Sequence, residues 1–126
     1  MSSDFAVLLN CMDGRTQLPA INWIRDNFHV KYVDIISEPG IDKVICGEDE
    51  NFINSLKYKM DISINSHGAS TAFVVGHYDC AANKVDKTTH LEQIKRSVSV
   101  IKKLYKNIEV IGLWINENFE VKKVIL

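Results

Sequence analysis

The chain has 126 residues, 46% of them hydrophobic and 25% charged, and fifteen Lys and Arg against sixteen Asp and Glu leave a formal charge of -1. Such a balance fits one globular domain over residues 1–126, and without a basic cluster interleaved with aromatics it excludes nucleic acid as the expected partner. No apolar run approaches a membrane span, and the opening Met-Ser-Ser-Asp lacks the basic start and apolar core of a secretion signal, so the cytoplasm is the expected compartment.

The first element is a strand at residues 5–9, a continuous apolar run suited to a strand covered on both faces. It ends at Asn10 and Cys11, and Asp13-Gly14 is a turn signal. Pro19 suits the opening turn of a helix whose Leu18, Ile21, Ile24 and Phe28 recur at spacings of three and four. Residues 31–36 read as a second strand, broken by Glu38-Pro39-Gly40. Residues 42–50 are mixed. Phe52, Ile53, Leu56, Met60 and Ile64 then give a second helix its apolar face, with Gly68 as its stop.

Residues 71–75 form a third strand, followed by Gly76-His77-Tyr78-Asp79-Cys80. After a polar stretch comes the clearest helix, with Leu91, Ile94, Val98, Ile101, Leu104 and Ile108 on one face and Lys95, Arg96, Lys102, Lys103 and Lys106 on the solvated side. Residues 110–115 and 120–126 are two final strands, and Asn116-Glu117-Asn118 between them signals a hairpin. The order β-α-β-α-β-α-β-β, with right-handed crossovers, predicts an α/β three-layer sandwich. Its sheet is expected in the order 2-1-3-4-5, mostly parallel, with the last strand antiparallel at an edge.

In such a sheet, segments just past the carboxyl ends of neighbouring strands converge on one crevice. Cys11 and the pair His77 and Cys80 stand at two such ends. Two thiolates and one imidazole suit zinc, and three protein ligands leave a fourth position for water or substrate. Three cysteines, an odd number, argue against a disulfide framework and for reduced thiols. Asp13 could reach the metal and close the site, or be held off it by a two-pronged ion pair with Arg15. In the second case a water on zinc has its pKa lowered toward about 7, hydroxide becomes available at neutral pH, and the Asp13 carboxylate accepts its hydrogen bond.

Each residue also has a plainer explanation: Cys11 as a small buried hydrophobe, Asp13 as a cap or turn residue, Arg15 as a surface charge, Asp79 as a cap or solvent-facing group. Cys46 reads as core, although a thiol near the site could serve as a fourth ligand. His29, His67 and His90 read as solvated. Trp23 and Trp114 read as core or interface aromatics.

Cys11-Met12-Asp13-Gly14-Arg15 after the first strand and His77-Tyr78-Asp79-Cys80 after the third resemble the paired motifs of the β-class carbonic anhydrases. The likeness extends to Ser55-Leu56-Lys57-Tyr58, to the third strand running into His77, and to Ile111-Gly112-Leu113-Trp114-Ile115. It implies zinc held by Cys11, His77 and Cys80, Asp13 and Arg15 as the dyad that orients the attack on CO2 to give bicarbonate, and Asp13 able to alternate between dyad and metal. It also implies a homodimer or higher homo-oligomer.

The chain departs from the family pattern at Gly14, where members have Ser, at Glu38-Pro39-Gly40 in place of Asn-Ala-Gly, and at Ala81 in place of Gly. The family's N-terminal helical arm, and much of its helical region before the last strands, are not expected within these 126 residues. The alternative expectation is therefore a zinc-binding relative without CO2 hydration, acting on carbonyl sulfide or carbon disulfide or serving no catalytic role. A third reading makes Cys11 a low-pKa nucleophile without metal. Such loops use Cys-x5-Arg, whereas position 17 is Gln and the arginine stands at 15.

Overall fold

The computed structural model describes residues 3–126; Met1 and Ser2, which open the segment read as lacking a secretion signal, lie outside them. Five strands, β1 (Phe5–Asn10), β2 (Tyr32–Ser37), β3 (Thr71–His77), β4 (Glu109–Ile115) and β5 (Val121–Lys123), form one sheet in the order β2-β1-β3-β4-β5. The first four are parallel, and β5 runs antiparallel to β4. This is the expected α/β architecture with a mixed five-stranded sheet. Because β1 lies between β2 and β3, the connections leaving β1 and β3 diverge and open a crevice at their carboxyl ends.

Side chains alternate across the sheet with the period of two that a strand imposes. Ala6 and Leu8 of β1 join Phe73, Val75, Ile111 and Leu113 on one face, where α1 (Gln17–Phe28) covers them with Ala20 and Ile24. Val7 and Leu9 join Ala72, Val74 and Val110 on the other face. There α2 (Ile41–Gly47), α3 (Glu50–Asp61) and α4 (Lys87–Leu104) bury Ile41, Ile45, Leu56, Met60, Ile94, Val98 and Ile101. No helix among the described residues is long and apolar enough to cross a membrane.

The structure corrects the sequence reading in three elements. Residues read as mixed contain α2, whose inward pair Ile41 and Ile45 spans a single turn, too short a run for periodicity to reveal. Leu18, assigned to the inner face of α1, is 67% exposed, because the apolar stripe runs through Ala20 and Ile24 instead. The last strand shrinks to Val121–Lys123, pairing only with Leu113, Trp114 and Ile115. The second long helix also changes its winding before its stop, ending in a π-helical turn at Ile62–Ser66.

Two glycines near the crevice are required by close approach. A Cβ on Gly76 would lie 2.7 Å from Asp42 Oδ2 and 2.8 Å from Ile94 Cδ1. Gly40 has a φ of +60°, and a Cβ there would meet Ala82 O and Asn83 Cβ at 3.2 Å, so the turn after β2 rests directly on the turn after β3.

Candidate metal centre

The crevice is built from the ends of β1 and β3. Past β1, polar side chains wire the backbone into a fixed turn. Gln17 Nε2 donates to the carbonyls of Cys11 at 2.8 Å and Asp13 at 3.0 Å. The Thr16 hydroxyl and backbone N–H both donate to Asp13 O, at 2.8 and 3.1 Å. Past β3, the Tyr78 N–H donates to Ile115 O at 2.9 Å, Asp79 takes a left-handed φ of 59°, and the Asn83 N–H returns to Cys80 O at 3.2 Å. A non-glycine in the left-handed region costs roughly 1–2 kcal/mol, which the surrounding turn must offset.

These turns bring together Cys11, His77 and Cys80, all buried, with their candidate ligand atoms within 4.8 Å of one another. The two sulfurs are 4.0 Å apart. His77 Nδ1–H donates to Tyr78 O at 2.9 Å, since a carbonyl can only accept. That leaves the Nε2 lone pair buried without a partner among the described residues. An orphaned buried acceptor costs about 1–3 kcal/mol. A cation placed between Nε2 and the two sulfurs removes that cost, and an Nδ1–H bonded to a carbonyl sets the tautomer of a metal-ligating histidine. The donor set therefore fits a divalent, thiophilic metal such as zinc.

Burial pushes the Cys80 thiol up to about 11, the Ala82 N–H partly opposing the shift and the neighbouring Cys11 adding to it. A metal must therefore displace a proton to bind Cys80 at neutral pH.

Asp13 stands outside the cluster of three. Arg15 clasps it with Nε on Oδ1 at 3.1 Å and Nη2 on Oδ2 at 2.7 Å, and the Arg15 backbone N–H adds a bond to Oδ1 at 2.9 Å. The Arg15 side chain first, and its N–H second, hold the Asp13 carboxyl down at about 2. The guanidinium also spans to the other turn, with Nη1 on Asp79 Oδ2 at 3.3 Å and Nη2 on Asp79 O at 3.2 Å. One arginine thus ties the loop after β1 to the loop after β3.

Several residues at the site went unread in the sequence. Thr16 and Gln17 act on backbone carbonyls, a role no motif announces. Asp79 is exposed as expected, but its contact with Arg15 spans 64 positions. His90, read as solvated, is buried at 2% exposure with its Nδ1 2.7 Å from Asp42 Oδ2. It stands four residues before Ile94 on the inner face of α4, a spacing that could have placed it. His67 is exposed but anchored to Asp34 Oδ2 at 2.7 Å, and His29 is exposed at the end of α1. Cys46 is half-buried on α2, donates to Lys43 O at 3.4 Å and does not join the cluster. Trp114 is core, as expected.

Sheet order, crevice and donor set together define a protein with the β-carbonic anhydrase fold. Among solved structures, the chain is similar to β-carbonic anhydrase isoform I of Trichomonas vaginalis, at 19% identity and a TM-score of 0.64, covering 98% of this chain and 83% of that one. It is similar to carbonic anhydrase from Glaciozyma antarctica at 17% identity and the same TM-score, with the same coverage. It is also similar to the tetrameric β-carbonic anhydrases of Sordaria macrospora, at 11% identity and 0.66, covering 99% and 83%. No curated protein sequence matches. The chain belongs to the family described as "Putative carbonic anhydrase", whose model matches residues 1–125.

Proposed function

We propose that the chain binds one zinc ion through Cys11, His77 and Cys80 and catalyses the reversible hydration of CO2 to bicarbonate. The observation that carries this reading is the buried, unpartnered His77 Nε2 set against two buried thiols. When bound, zinc supplies a Lewis acid that brings the pKa of a water ligand to about 7. Asp13, kept anionic by Arg15, accepts a hydrogen bond from the attacking oxygen and turns its lone pair toward the carbon of CO2. With both carboxylate oxygens engaged by Arg15, Asp13 would be held back from a zinc bound by the three ligands. The relatives from Sordaria macrospora are described as tetrameric, which supports a homo-oligomer here too. We place the protein in the cytoplasm.

A second reading rests on the cavity of about 700 Å³ beside Cys80, bordered by Tyr78, Asn83, Val85, His90 and Trp114. Its size lies within the range of small-molecule sites, and CO2, carbonyl sulfide and carbon disulfide, all linear triatomics, each fit it. Carbonyl sulfide and carbon disulfide therefore belong in the same assay, beside a non-catalytic zinc site.

The test is elemental analysis of protein purified under reducing conditions, with Cys80→Ser beside it, followed by stopped-flow CO2 hydration. About one zinc per chain, lost in the variant, with hydration above the buffer blank, is the expected result. Zinc without hydration moves the function to the sulfur-containing substrates or to a non-catalytic role. No zinc after reconstitution ends the metal reading.

A further inference from the structure

Asp42 is a carboxylate at 2% exposure on α2, outside the motifs read from the sequence. Burying a carboxylate is costly unless its lone pairs are met by donors. Here Oδ1 accepts from Asn83 Nδ2 and from the Lys43 N–H, both at 3.1 Å, and Oδ2 accepts from His90 Nδ1–H at 2.7 Å. Its backbone carbonyl accepts from the Ser97 hydroxyl at 2.9 Å. The second Asn83 amide hydrogen goes to Gln93 Oε1 at 2.7 Å. Asn83 is therefore gripped between α2 and α4, and its own N–H holds the carbonyl of Cys80. The same carboxylate oxygen that meets His90 sits over Gly76, the residue before His77, in space that any larger side chain would fill.

We propose that Asp42 is the positioning residue of the metal centre, setting Cys80 through Asn83 and setting the approach of β3 to His77 through its seat over Gly76. The inference rests on reading Cys11, His77 and Cys80 as zinc ligands. Gly40, at the start of α2, lies against Ala82 and Asn83 and so seats this helix on the Cys80 turn.

The experiment is zinc affinity by chelator competition at fixed pH, with circular dichroism and thermal unfolding of each variant alongside, and the spectrum of the cobalt-saturated protein. Asp42→Ala and Asn83→Ala are expected to bind zinc about 10–100-fold more weakly, as residues that orient metal ligands usually do when lost. Asp42→Asn, which keeps an amide oxygen for Asn83 and Lys43 and whose amide N–H can donate to His90 Nδ1 once that imidazole takes its other tautomer, is expected to stay within about threefold of wild type on the same scale. His90→Asn, which retains a donor near the Nδ1 position, is expected to stay closer to wild type than His90→Leu. At saturating cobalt, Asn83→Ala is expected to shift the thiolate-to-cobalt absorption, a change that lost global stability alone does not produce. If Asp42→Ala fails to fold, Asn83→Ala carries the test. A folded Asn83→Ala with wild-type zinc affinity and an unchanged cobalt spectrum overturns the proposal. Wild-type protein that takes up no zinc overturns the zinc reading itself, a separate and recognisable result.

Discussion

At the scale of single residues, Asp13 and Gly14 make opposite predictions. The Asp13 pKa is depressed from 3.8 to about 2, so its contribution to stability is fully present above pH 3.8 and is lost as the pH falls through about 2. Any loss of activity between pH 5 and 8 therefore belongs to another group, and the pH-rate profile should show no limb near 4. Arg15→Ala should free Asp13 to turn toward the metal. Activity is expected to drop by about 10²-fold or more, the scale of a lost orienting base, with zinc content unchanged. Gly14 is open, with no heavy atom within 4 Å of the place a Cβ would take and no positive φ. Gly14→Ser, which restores the family residue, should change stability by no more than about 0.5 kcal/mol in denaturant unfolding.

At the scale of elements, α4 is locked to the sheet by the fit of Ile94 between Gly76 and Gly112. A Cβ on Gly112 would lie 2.6 Å from Ile94 Cγ2, and one on Gly76 2.8 Å from Ile94 Cδ1. Ile94→Ala should cost about 2–5 kcal/mol by leaving a cavity, and Gly112→Ala about 1–3 kcal/mol by overfilling the same contact, both measured by urea unfolding. The strands and long helices were legible because each carries a run or stripe long enough to show its period. Leu9 and Val74 pair across β1 and β3, so the expected order 2-1-3-4-5 set the ends of these strands, with Cys11 and His77, side by side. The short helix α2 was not legible, since one turn shows no period. Nor was the Asp42–His90 contact, whose partners stand 48 positions apart, a separation no local pattern reports.

At the scale of the whole molecule, folding, metal and protons are one equilibrium. Cys80 is pushed up to about 11 from 9.0 in the metal-free fold. A thiol raised in this way gives stability present below pH 9 and lost as the pH climbs through 11, so the melting temperature of metal-free protein should fall over that window. Zinc uptake should run the other way. At pH 7 it should release at least about one proton, read from the buffer dependence of the calorimetric heat, and its affinity should strengthen as the pH rises. Saturating zinc should raise the melting temperature by mass action, since the three ligands converge only in the folded sheet.

The two site sulfurs, 4.0 Å apart and buried, carry a consequence for the life of the newly made chain. Whatever draws the ligands together for a cation also places the same sulfurs side by side for an oxidant, and a bond between them would consume two of the three donors. One pair of atoms thus has two mutually exclusive uses. Zinc uptake by the reduced protein is therefore expected to exceed that of protein oxidised before the metal is added.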